Sequence, residues 1–99
     1  MKTVMIDGVK YVEQAAPSNL RIVVLDRGFV VVGEVAEEGD YIVISNCSNV
    51  RRWGTSAGLG QLAMEGPQQN TKLDKQPRTT VHKLQVVQQI DCEVSAWKR

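Results

Sequence analysis

Apolar residues in the first half of this chain fall in short β-branched runs separated by turn residues, a spacing that predicts strands rather than helices. Thr3-Val4-Met5-Ile6 and Val9-Lys10-Tyr11-Val12 flank Asp7-Gly8, which supplies the positive φ angles of a type I′ turn and predicts a hairpin over 3–12. Ala15-Ala16-Pro17-Ser18-Asn19 reads as a connector, because Pro17 cannot continue a ladder. Leu20–Leu25, Phe29–Val35 and Tyr41–Ser45 are then divided by Asp26-Arg27-Gly28 and by Glu37-Glu38-Gly39-Asp40. Connections this short cannot make a parallel crossover, so an antiparallel meander is predicted over 20–46. Gly33, inside a strand, predicts a bulge or a close backbone approach.

The period then changes. Leu59, Leu62 and Ala63 fall on one helical face, Thr55 or Ser56 is placed to cap, and Gly66-Pro67 is a stop, so a short helix is predicted over about 56–65. Gly58 and Gly60 lower its propensity, leaving packing to hold it. Residues 67–78 are polar and predict a surface loop, and a long strand returns over 79–92. Thr80, His82, Leu84 and Val86 share one face of that strand, with a bulge expected near Val87-Gln88 where the alternation slips. Trp97 is placed to anchor the tail. The fold class expected is mainly β (α+β), a small antiparallel barrel-like or curved sheet with one short helix, in a single domain over 1–99.

Composition narrows the function classes. The 99 residues carry a net charge of +1 with 42% hydrophobic and 23% charged positions, an ordinary globular balance that provides no field for duplex nucleic acid or a membrane surface. No uninterrupted apolar run, Phe29–Val32 included, exceeds four residues, far short of a membrane span, and no secretory signal is evident, so a cytoplasmic protein is expected. Charge is unevenly divided: residues 1–49 hold four basic and seven acidic side chains, residues 50–99 eight and four. Cys47 and Cys92 have neither disulfide-scaffold nor metal-knuckle spacing and read as two small buried residues.

The densest chemistry is Val50-Arg51-Arg52-Trp53-Gly54-Thr55-Ser56. Guanidiniums grip phosphate, an indole stacks on a base, and a helix start offers unpaired N–H groups. Arg51, Arg52, Trp53, Thr55 and Ser56 are therefore candidate ligand-binding residues, with Lys72, Lys75 and Arg78 as a candidate basic lid. The competing reading makes Trp53 the core aromatic and pairs the arginines with the acidic first half. The glycines Gly54, Gly58 and Gly60 fit neither a Walker loop nor a dinucleotide fingerprint. His82 is the only histidine and reads as a strand residue rather than a general base; no metal site, cofactor or catalytic set is expected.

Gly28–Gly33, Val43–Asn46, Val50–Trp53 and Gly58-Leu59-Gly60-Gln61-Leu62-Ala63-Met64-Glu65-Gly66-Pro67 together resemble a family of small tailed-phage and prophage proteins known only as a domain of unknown function. The two ends, Met1–Gly8 and Val86–Cys92, are similar to that family's ends, so the likeness covers nearly the whole chain. Many relatives carry an extra Cys and Lys in the 67–78 stretch, and this chain has no Cys there. The resemblance implies a phage protein in the bacterial host cytoplasm and no established activity. By analogy it implies a counter-defence sponge that holds a nucleotide-derived signal, of cyclic-oligonucleotide or ADP-ribose type, without turnover. A protein-binding accessory or inhibitor is the alternative, and a small nucleotide-cleaving enzyme or single-stranded nucleic-acid binding are less favoured readings. A homo-oligomer, dimer or tetramer, is expected through pairing of free strand edges.

Overall fold

The computed structural model describes residues 3–6, 9–12 and 19–97. Thr3–Ile6 (β1) and Val9–Val12 (β2) pair antiparallel as a two-stranded sheet, Thr3 opposite Val12 and Ile6 opposite Val9. The Asp7-Gly8 turn and the Pro17 connector lie outside the described residues.

Leu20–Leu25 (β3), Val30–Glu38 (β4) and Tyr41–Arg52 (β5) form the antiparallel meander that their short connections require. A 3₁₀ turn, Asp26–Gly28, joins β3 to β4, with positive φ at Arg27 (68°) and Gly28 (83°) and a 2.7 Å bond from the Leu25 N–H to the Phe29 carbonyl. Gly39 opens the two-residue β4–β5 turn with φ 60°. After β5 come the helix Gly58–Glu65 (α1) and the strands Lys72–Gln76 (β6), Thr79–His82 (β7) and Val86–Asp91 (β8). The spatial order is β6-β5-β4-β3-β8, with β7 also on β5.

Three elements differ from the sequence expectation. β5 runs on to Arg52, because Ser48 and Asn49 are laddered on both sides, to β4 and to β6, and Val50 and Arg52 pair on with β6. Residues 67–78 are not one loop: β6 lies within them, polar because it is an edge strand with only Leu73 packed against the core. The 79–92 strand is two strands broken by a 3₁₀ turn at Lys83–Gln85, so Leu84, grouped by alternation with Thr80, His82 and Val86, falls in the turn and is exposed. The expected irregularity at Val87 is present: Leu25 pairs with Val86 but Val24 with Gln88, leaving Val87 over as a bulge.

That 3₁₀ turn dictates the shape. His82 pairs with Tyr41 on one side of the sheet, and Val86 pairs with Leu25 on the other. Four residues of extended chain reach at most about 14 Å. In a flat sheet β7 and β8 would stand four strand spacings apart, about 19 Å. The sheet therefore curls, without closing into a barrel, and its concave side encloses Val23, Val31, Val35, Ile42, Ile44 and Cys47. The outer face of β3 and β4 carries Leu20, Ile22, Val30 and Val32, covered by Leu62 and Ala63 of α1 and by Trp97. Two covered faces explain why β3 and β4 read as unbroken apolar runs instead of alternating.

The bend is built at Gly33. Val32 pairs with Ser48 but Glu34 with Ser45, so β5 has an extra residue there, and Asn46 takes a left-handed φ of 46°. The Asn46 amide is held from both sides, donating to Glu34 Oε2 (3.3 Å) and accepting from Lys75 Nζ (2.7 Å). The Lys83–Gln85 turn is tied back to the β4–β5 hairpin by the Lys83 N–H on the Asp40 carbonyl (2.9 Å) and by Lys83 Nζ on Glu37 Oε1 (3.0 Å).

The Lys83 hydrogen bond, and then its charge, hold the Glu37 carboxyl below its ordinary value of 4.5. A lowered carboxylate pKa contributes stability above the ordinary value and loses it as pH falls through the lowered one. An NMR titration of Glu37 is expected to show a midpoint under 4.5 that rises toward it in Lys83→Gln. An equal midpoint in the two proteins would show that the pair does not form in solution.

Candidate functional site

Arg51 and Arg52 end β5, and the ladder to β6 slips between them. Val50 pairs with Leu73 and Arg52 with Lys72, so the two arginines together oppose one lysine. Three cations thus meet at one point of an edge pair, where like charges directly opposite are unfavourable. One carboxylate enters the group: Asp74 Oδ2 accepts from Arg51 Nε at 2.9 Å. Among the described residues Arg52 and Lys72 have no ion-pair or hydrogen-bond partner from a side chain, and both are exposed.

Trp53 follows directly, and its place answers the question left open by the sequence. The indole is 44% exposed, whereas Trp97 is 5% exposed and donates from Nε1 to the Ala63 carbonyl at 3.1 Å. Trp97 is the core aromatic and Trp53 is a surface ring. The backbone beneath Trp53 is nonetheless fixed. Its carbonyl accepts from Thr71 Oγ1 at 2.7 Å, and Gly54, at φ 70°, packs its Cα against the Asn70–Thr71 backbone with no room for a Cβ.

The other expected ligands are placed differently. Thr55 Oγ1 donates to the Gly58 carbonyl (2.7 Å) and Ser56 Oγ to Gln61 Oε1 (3.4 Å), so the hydrogens of both hydroxyls are already engaged. Neither caps the helix. The N-cap is Ala57, whose N–H donates to Gln61 Oε1 at 2.8 Å, and α1 begins at Gly58 rather than at about 56. Of the candidate lid, Lys72 is a fixed strand residue opposite Arg52, Lys75 is bonded to Asn46, and Arg78 lies in the two-residue gap between β6 and β7. A strand paired along β5 is not a lid.

Sequence reading missed Asp74. Lys72-Leu73-Asp74 alternates polar and apolar, the period of a half-buried strand, and reading it so would have put Asp74 on the face of Lys72.

The remaining chemical residues have structural roles. His82 Nδ1 accepts from the Leu84 N–H at 3.0 Å and its ring meets Tyr41 edge-on, centroids 5.1 Å apart. Cys47 is fully buried with its thiol 3.2 Å from the Pro77 carbonyl; Cys92 is buried in the opposite cluster, and both are free thiols. Among the described residues no three His, Cys, Asp or Glu side chains stand together to hold a metal, and no helix is long and apolar enough to cross a membrane. Compared with known proteins, the chain matches no family model, no curated protein and no solved structure.

Proposed function

We propose that this chain is a phage-encoded binding protein that captures a small nucleotide-derived signal, of cyclic-oligonucleotide or ADP-ribose type, and does not turn it over. The observation that carries the reading is the slipped β5–β6 pair. It gathers Arg51, Arg52 and Lys72 against a single carboxylate, and the residue after Arg52 in the chain, Trp53, is a half-exposed indole on a fixed backbone. Phosphate between the cations would relieve their repulsion, and Trp53 would take the base by stacking. The phage setting and the counter-defence use come from the family resemblance. The residues assigned are Arg51, Arg52, Trp53 and Lys72.

The test is thermal unfolding against a panel of cyclic di- and trinucleotides and ADP-ribose derivatives. A ligand at 100 times its dissociation constant stabilises by about 2.7 kcal/mol, an upward shift on the order of 10 °C at this size. The shift is expected to vanish in the Arg51→Ala/Arg52→Ala protein, and binding is expected to quench the exposed Trp53 without altering Trp97. A flat panel would refute the nucleotide reading and favour the protein-binding accessory. Turnover of a panel member would replace binding by catalysis.

A further inference from the structure

We infer that this chain forms a twofold homodimer through the face around the β3–β4 turn, Asp26–Phe29, and the neighbouring 3₁₀ turn, Lys83–Gln85. The inference is independent of the ligand reading. Phe29 is 62% exposed, Leu84 90% and Val87 69%, and register brings their segments together: Val86 pairs with Leu25, and Phe29 and Gln85 line one shallow depression with Leu25, Asp26 and Arg27. Large apolar side chains left exposed on adjoining segments are the usual material of an interaction surface.

The charges on this face point to a second copy. Asp26 and Arg27 are adjacent, exposed and opposite in sign, and among the described residues neither has a side-chain partner. Adjacent opposite charges are self-complementary about a twofold axis, which sets Asp26 against the partner's Arg27 and Arg27 against the partner's Asp26. Arg27 also stands at φ 68°, where Gly or Asn would fold with less strain, so a long cation is kept at this turn against local preference.

The free strand edges, where oligomerisation was expected from sequence, are poorly suited to it. Pro77 and the cations Lys72, Lys75 and Arg78 interrupt the β6–β7 edge, and the Val87 bulge bends the β8 edge.

Sedimentation equilibrium on the full chain from about 1 to 500 µM, a range suited to a small interface, tests this. The wild type is expected to approach twice the 11.0 kDa chain mass. Leu84→Glu is expected to stay monomeric, with its thermal midpoint showing that it is folded. Asp26→Arg and Arg27→Asp are each expected to associate at least about tenfold more weakly, since each turns two attractive pairs into two repulsive ones. Mixed in equal amounts, the two variants restore attraction at both pairs and are expected to dimerise. A monomeric wild type over the whole range would overturn the inference. So would a dimer that survives Leu84→Glu, or a mixture no tighter than its components.

Discussion

Trp97→Ala is expected to lower the thermal midpoint by about 20 °C, while Trp53→Ala leaves it within a few degrees. Trp97 is buried among Leu20, Ile22, Val30, Val32 and the α1 residues Leu62 and Ala63. Removing such a ring costs about 3–5 kcal/mol in transfer free energy and cavity formation, against about 5–15 kcal/mol for a whole domain. The loss is also topological. The Glu93 N–H and Trp97 Nε1 both donate to the Ala63 carbonyl, at 2.9 and 3.1 Å, so this residue fastens the segment after β8 onto the helix. Trp97→Phe, which keeps most of the volume, is expected to cost about 1–2 kcal/mol, because Ala63 retains its bond from Glu93. Differential scanning calorimetry of the three proteins checks the ordering. If Trp53→Ala were the more damaging change, the two tryptophans would have been assigned the wrong way round.

Gly33→Ala is expected to destabilise by about 3 kcal/mol, at the upper end for one added methyl group. A Cβ at Gly33 would lie 2.6 Å from Cys47 Cβ, 2.7 Å from Ile44 Cγ2 and 2.9 Å from the Ser45 carbonyl. Cys47 and Ile44 are fully buried and Ser45 is ladder backbone, so nothing there yields cheaply. Gly60→Ala is the internal control. The same added methyl meets nothing within 4 Å in α1 and is expected to stabilise by up to about 1 kcal/mol. Urea unfolding of both measures the contrast. A neutral Gly33→Ala would mean that β4 and β5 do not approach as closely as the bulge requires.

The meander was legible because its information is local. Asp26-Arg27-Gly28 and Glu37–Asp40 announce turns, and the apolar runs between them are too β-branched for helix. The helix was legible for the same reason, through Leu59, Leu62, Ala63 and the Gly66 stop, although its cap moved from Thr55 or Ser56 to Ala57, where the Gln61 side chain rather than a hydroxyl bonds the backbone. What failed to show was pairing at a distance. Lys72–Gln76 has loop composition and becomes a strand only because β5 offers it an edge. The site suffered in the same way. Arg51, Arg52 and Trp53 stood out by residue type, but the carboxylate beside them and the slip that puts both arginines opposite Lys72 belong to the β5–β6 register. Which tryptophan lies inside was equally invisible, since each is followed by few cues to burial.

The pairing of β3 with β8 has a kinetic side. β3 finds β4 within a few residues, but its other neighbour arrives only much later in the chain, Ile22 opposite Ile90. Closing so large a loop costs entropy before any apolar contact offsets it, and topologies of this kind fold in milliseconds to seconds rather than microseconds. The meander can therefore assemble well before β8 docks, and until then the flank of β3 is an unprotected template. That interval, more than the finished fold, is when the chain is open to strand exchange with another molecule.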